Sequence, residues 1–255
     1  MKKKLFFLML CVLFILLCIG IMLFRSDRSG PAAETEPKPT LEEFLNSIEN
    51  PQIRILYEQL YDLYDYETFD RRSPIPQYFQ TVYTDKFSVG TIQSAGCGIT
   101  SLSMVASFLF EEEITPDWML RYDCGPNPAA AMEAGIEDLK LNCKTWYGDA
   151  ATEKLDGALD AGKPVIVLHQ SGSYFTKSGH FFVIAGKNPD GSYIVNDPNM
   201  INYFNPRLVE GYTHGFSRED ITAGLVGLYI FDSKEEFTDR RVTADSDKEN
   251  GLWES

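Results

Sequence analysis

Apolar positions recur along this chain at several periods, and each period predicts a different element. Residues 5–24 form one unbroken apolar run, LFFLMLCVLFILLCIGIMLF, behind Lys2, Lys3 and Lys4. At helical rise such a run spans about 30 Å, the thickness of a bilayer's hydrocarbon core. Arg25 and Arg28 follow, with no small-x-small cleavage site. The run therefore predicts an uncleaved signal anchor over residues 1–25, with a cleaved signal peptide as the alternative. Leu16 and Leu17 stand where a lipidated Cys18 would need a small neighbour. The positive-inside rule leaves the N-terminus cytoplasmic and the remainder extracytoplasmic.

Residues 26–39 are polar and aperiodic, a linker. Residues 40–73 change to helical spacing. Thr40 and Glu43 form a capping box before Leu41, Phe44, Leu45 and Ile48. Asn50-Pro51 starts a second helix, with Ile53, Leu56, Tyr57, Leu60, Leu63 and Tyr64 on one stripe. Beyond Pro74 and Pro76, residues 98–110 predict a helix with Leu102, Val105, Ala106 and Leu109 on one face. Thr115-Pro116 and Asn127-Pro128 predict two further starts, and residues 152–161 a helix closed by Gly162. The period then becomes strand-like in residues 165–170, 180–187, 192–197 and 226–231. Asn188-Pro189-Asp190-Gly191 joins the second and third as a hairpin, and Ser217 with Asp220 caps a short helix before the last. Helices first and hairpin-linked strands second indicate an α+β domain with an antiparallel sheet over residues 74–232. Residues 233–255 are acidic and without period, and predict a flexible tail.

Composition narrows the partners. Net charge is −14, with 23 basic against 37 acidic residues. Nucleic acid needs a basic stripe that this chain lacks. Five cysteines in 255 residues are too few for a disulfide scaffold. Cys124 and Cys143 leave a single disulfide open, without metal-ligand spacing. No glycine-rich loop has phosphate-binding spacing. No metal or organic cofactor is implied.

Chemistry concentrates at three positions. Cys97, in Gln93-Ser94-Ala95-Gly96-Cys97-Gly98, immediately precedes an apolar helix. A helix start favours the thiolate through its free N–H groups and dipole. His180 opens a strand, which gives a general base the rigidity a thiol nucleophile requires. Asp197 ends the next strand. If residues 180–187 and 192–197 pair through the hairpin, His180 and Asp197 come nearly opposite, and the carboxylate can fix the imidazole's tautomer. His169 reads as a packing residue and His214 as exposed in its Gly-Tyr-Thr-His-Gly loop.

Four blocks then appear in order: Ile75-Pro76-Gln77-Tyr78-Phe79-Gln80; Gly90 to Val105 around Gly96-Cys97-Gly98; Gly179-His180-Phe181; and Val195-Asn196-Asp197-Pro198-Asn199. Together they resemble the C39-like peptidases, papain-like cysteine peptidases related to the double-glycine leader peptidases of bacteriocin exporters. The resemblance implies a papain-like fold, with Cys97 as nucleophile, His180 as general base and acid, and Asp197 as orienting carboxylate. It implies a peptide or protein substrate and a bacterial, Gram-positive source. Two positions depart from the pattern. Ile99 replaces a proline, and Thr91 stands six residues before the cysteine, where papain-like enzymes carry an oxyanion glutamine. One oxyanion donor is the Cys97 N–H. The second is assigned to Gln93, ahead of Gln80 and Thr91. The expectation is a membrane-anchored extracytoplasmic cysteine peptidase cleaving a peptide or isopeptide bond. The competing expectations are a catalytically inactive peptide-binding module on the same fold and a cell-wall peptide amidase.

Overall fold

The computed structural model describes residues 40–66, 69 and 72–249. The expected anchor (1–25) and linker (26–39) lie outside the described residues. Among the described residues, no helix is long and apolar enough to cross a membrane. Residues up to Ser47 and residues from Ile48 form two compact units. The first holds α1 (Leu41–Ser47). Its capping box is formed: Glu43 N–H donates to Thr40 Oγ1 at 3.2 Å, and Thr40 N–H to Glu43 Oε2 at 2.8 Å.

The second unit opens with α2 (Pro51–Leu63), capped by Asn50 Oδ1, which accepts from Gln52 and Ile53 N–H. Leu60 and Tyr64 are buried, whereas Leu63 is 47% exposed, so the buried stripe is narrower than its apolar pattern. A two-stranded ribbon, β1 (Lys86–Phe87) and β2 (Gly90–Thr91), leads into α3 (Ile92–Ala95) and α4 (Cys97–Phe110). After α4 the Thr115-Pro116 start yields only a 3-10 turn, Trp118–Tyr122. Then come α5 (Pro128–Asp138), β3 (Cys143–Tyr147), α6 (Asp149–Asp160) and β4 (Val165–His169). Strands β5 (His180–Lys187) and β6 (Tyr193–Asn196), a 3-10 turn at Met200–Phe204, α7 (Val209–His214), α8 (Arg218–Thr222), β7 (Leu225–Phe231) and α9 (Lys234–Glu249) complete the chain.

The expected α+β class holds: helices come first, then a five-stranded antiparallel sheet of order β3-β7-β4-β5-β6. The sheet separates two cores. Alternation along β5 sends Phe182 and Ile184 to one, with Leu60, Leu155 and the aromatic group of Phe79, Tyr203 and Phe216. Phe181 and Val183 face the other, filled by α4, α5, Phe231 and Phe237. Helix α4 is buried well beyond the one face its pattern suggests, because Thr100, Ser101 and Ser103 are fully buried beside Leu102 and Val105.

Two sequence readings need correction. The 233–255 tail is helical over Lys234–Glu249. A capping box at Ser233 and Glu236 starts that helix: Glu236 N–H donates to Ser233 Oγ at 3.3 Å and Ser233 N–H to Glu236 Oε2 at 2.9 Å. Phe237 is 2% exposed and meets Phe110 edge-on at 4.9 Å. Lys234 Nζ donates to the carbonyls of Phe108 and Leu109, which close α4. The second correction concerns register. Val183 pairs with Asn196, and a bulge lies between Ile184 and Gly186. His180 therefore stands beyond the strand position facing Asp197, and the gap is closed by its side chain.

Candidate active site

The thiol's position follows from a break between two helices. Gly96 N–H donates to Ile92 O at 2.7 Å and ends α3. A Cβ on Gly96 would stand 2.5 Å from Ile92 O and 2.6 Å from Ile92 Cγ2, so only glycine fits this turn. Cys97 is the first residue of the fourteen-residue α4, where N–H groups have no partner one turn back. Gly98 brings this end of α4 against β5, its Cβ position lying 3.4 Å from the Phe181 ring.

The imidazole comes from the sheet. His180 is 6% exposed, and its Nε2 lies 2.7 Å from Asp197 Oδ1. Its ring also lies beside the Cys97 thiol, which in turn faces the N–H groups of Phe181 and Gly98. Burial pushes the thiol up. The hydrogen bond to His180, its charge and the two N–H groups outweigh that, and the thiol ends below the ordinary range. Burial also acts against a charged His180, but the Asp197 carboxylate and the Cys97 sulfur raise it well above the usual imidazole value. Both shifts favour a thiolate–imidazolium pair.

Asp197 is fully buried, and its carboxylate accepts four hydrogen bonds. Oδ1 receives His180 Nε2 and, at 2.7 Å, Asn199 N–H. Oδ2 receives Asn202 Nδ2 at 2.8 Å and Tyr212 Oη at 2.6 Å. Burial opposes its charge, yet His180 and these donors hold the carboxyl below the usual range. Its backbone is fixed as well: Asp197 N–H donates to Tyr203 Oη at 3.1 Å, and Gln77 Nε2 donates to Asp197 O at 2.9 Å. Arg72 Nη2 donates to Tyr203 Oη at 2.9 Å, bringing a cation within one residue of the carboxylate.

Cys97, His180 and Asp197 are thus brought together. Gln93 is not aimed at them: it is exposed, and its Nε2 donates to Thr81 O at 3.1 Å. Thr91 caps α3 instead. Gln80 is 6% exposed, and its Nε2 donates at 2.9 Å to the carbonyl of Gln93, one helical turn before Cys97. Cys124 and Cys143 are both free thiols. Burial raises Cys143 to about 12, with a Thr145 hydrogen bond in partial opposition. His169 is fully buried, as a packing residue should be, and the His214 side chain is 69% exposed. Among the described residues, no group of three or more His, Cys, Asp or Glu is placed to hold a metal ion.

Sequence reasoning missed Arg72, Asn202, Tyr203 and Tyr212. Asn202 and Tyr203 follow Asp197 closely, and the Asn199 cap that starts their 3-10 turn was a readable signal. Tyr212 and Arg72 reach the site only through tertiary folding.

A thiol at a helix start, beside an imidazole that a buried carboxylate orients, is the arrangement that cysteine peptidases use. The chain belongs to the C39-like peptidase family, whose model matches residues 73–205, just over half of its 255 residues. It is similar to the crystal structure of a C39-like peptidase from Bacillus anthracis, at 14% identity and a TM-score of 0.43, over 62% of this chain and 94% of that one. It is similar also to the peptidase domain of Streptococcus ComA, a bifunctional ABC transporter of a quorum-sensing pathway. That match has 18% identity and a TM-score of 0.39, over 58% of this chain and 95% of that domain. No curated protein matches the chain.

Proposed function

We propose that this protein is an active cysteine peptidase, with Cys97 as nucleophile, His180 as base and acid, and Asp197 as the carboxylate that orients the imidazole. The observation that carries this reading is the placing of the Cys97 thiol beside the His180 imidazole, which is hydrogen-bonded at 2.7 Å to the buried Asp197. In the reaction, the thiolate attacks a peptide carbonyl carbon and the C=O electrons move to oxygen. The Cys97 N–H, free at the start of α4, stabilises that oxyanion. Gln80 is the second donor in this reading, replacing Gln93, because its buried amide sits beside the turn that carries Cys97 and has an N–H beyond the one given to Gln93 O. The C–N bond breaks as the His180 imidazolium protonates the leaving amine. His180 then takes a proton from water, the hydroxide attacks the thioester, and a carboxylic acid leaves with the thiolate restored.

The working place in this reading is the outer face of a membrane, with residues 5–24 as anchor. The support is the length of that apolar run and the three lysines before it. The experiment is turnover of a mixed peptide library by the full-length chain in detergent, read by mass spectrometry beside Cys97→Ala. Cleavage by the wild type alone supports the proposal. Retention of uncleaved peptides by both proteins would make this a binding module instead, and release of muropeptide stems without protein cleavage would make it a cell-wall amidase.

A further inference from the structure

Asp197 Oδ2 faces away from His180, yet it is the more heavily held of the two oxygens by side chains. The Tyr212 phenol, 5% exposed, donates to it at 2.6 Å. Tyr212 comes from α7, beyond residue 205, where the family match ends. Three contacts fix its ring and backbone. It stacks on Tyr203 with centroids 3.9 Å apart, and it meets Phe216 edge-on at 5.0 Å. Arg72 Nη1 donates to its carbonyl at 3.4 Å. The neighbouring Gly211 lets α7 lie flat on Phe216, since a Cβ there would be 2.2 Å from the ring. A six-residue helix is thus seated so that one hydroxyl meets one buried carboxylate oxygen.

We infer that Tyr212 is a positioning residue for the Cys97–His180–Asp197 site: its hydroxyl keeps Asp197 ionised and fixes the carboxylate plane, so that Oδ1 stays on His180 Nε2. A buried carboxylate has about four lone-pair directions to satisfy, and here four donors meet them. With Tyr212 removed, Oδ2 keeps only Asn202. The charged form of Asp197 is then destabilised and the carboxylate is free to rotate. Tyr212 is well suited to donate at all working pH values, because burial first, and then Asp197, hold its phenol well above the usual range. The other titratable or charged groups facing Asp197 are His180 from β5, Tyr203 from the 3-10 turn, Arg72 through Tyr203, and His169 from β4. None of them donates to Oδ2.

This inference rests on the proposed Cys97–His180 pair, and its test separates the two. Full-length wild type and Tyr212→Phe are alkylated with iodoacetamide from pH 4 to 10, and the rate at Cys97 is read by mass spectrometry. If wild-type Cys97 shows no reactivity below pH 7, the pair is absent and both readings fall. If the wild type is reactive, Tyr212→Phe should lose reactivity at higher pH on the acid side. Losing a hydrogen bond to a buried charge corresponds to a shift of about one pH unit. Combining Tyr212→Phe with Asp197→Asn should move that limb no further than Asp197→Asn does alone. A folded Tyr212→Phe protein with the wild-type acid limb overturns the inference, as does an additional shift in the double variant. Should Tyr212→Phe fail to fold, Asn202→Ala removes the other donor from the same oxygen. A wild-type limb in that variant overturns the inference and an upward shift supports it.

Discussion

The two faces of the sheet hold their share of the site by different means. On one face, α4 carries Cys97 out of a core made of Ile99, Leu102, Val105, Met132, Val183, Phe231 and Phe237. Polar side-chain contacts to that helix gather at its far end, where Ser107 Oγ bonds Ile114 and the Tyr78 hydroxyl and Lys234 caps the last carbonyls. On the other face, His180 and Asp197 sit at the rim of an aromatic core in which Tyr203, Gln77 and Arg72 are hydrogen-bonded to one another, and Asn202 and Tyr212 to Asp197. The thiol is placed by packing, and the imidazole by a polar network. The difference suits the two groups. A thiolate at a helix start needs only a rigid helix and open N–H groups. An imidazolium 6% exposed needs a counter-charge whose own lone pairs are satisfied.

The comparison predicts that damage to the polar network, as to the thiol itself, is chemical, and that damage to the apolar packing behind the thiol is structural. His180→Ala or Cys97→Ala should reduce peptide hydrolysis by about 10⁶-fold, as removal of a single central member does in triads that act as a unit. Melting temperature should move little for Cys97→Ala. A residual rate within tenfold of wild type in either variant would place the chemistry elsewhere. Asp197→Asn comes next, with a loss of about 10³–10⁴-fold in kcat and little change in KM. Asparagine keeps the shape but cannot counter the imidazolium charge. If KM rather than kcat changed, Asp197 would be shaping the substrate site and not orienting His180.

The apolar face is tested by Phe237→Ala, which should cost about 3–5 kcal/mol in urea unfolding. Cys97 in the folded fraction should still alkylate at the wild-type rate. A loss below about 0.5 kcal/mol, the size of an ordinary surface effect, would return α9 to the status of a tail. That residue also marks where the sequence was hard to read. Helix starts, hairpin and strand pattern were legible because each is local: Thr40 with Glu43, Asn50-Pro51, Ser217 with Asp220, and the Asn188–Gly191 turn all act within four residues. Cys97, His180 and Asp197 were legible because motif blocks and one hairpin tie them together. Phe237 was not, since one aromatic in an acidic stretch shows no period, and its partner Phe110 lies far back in the chain. The Gln93 assignment failed for a related reason. Its distance from Cys97 along the chain was right for an amide donor, but the turn aims it at Thr81 O. Tyr212 carried no local signal at all, its role depending on how α7 lands on Phe216.

His169 sharpens the comparison most finely, because it sits on the polar face without sharing the network. It pairs with His180 across the β4–β5 ladder and is fully buried, edge-on to Phe175 at 5.1 Å and Phe182 at 4.9 Å. Neither ring nitrogen has a hydrogen bond of ordinary geometry. Burial lowers it to about 4, with the Ile221 backbone and Asp197 opposing and His180 adding to the fall. The sign follows from which state takes the proton first. Between the ordinary imidazole value of about 6.5 and the folded value near 4, the unfolded chain is protonated and the folded one is not. The contribution of a neutral His169 is therefore full above pH 6.5 and lost progressively down to pH 4. His180 runs the other way: its raised value makes its contribution full below pH 6.5 and lost as pH rises through the folded value. Urea unfolding of wild type and His169→Leu at pH 7.5 and pH 5 isolates the first term. Wild type should lose about 2 kcal/mol more than the variant between those pH values. Equal losses in the two proteins would mean that His169 finds a proton partner in the folded state, and the aromatic core would then be polar at its centre as well as at its rim.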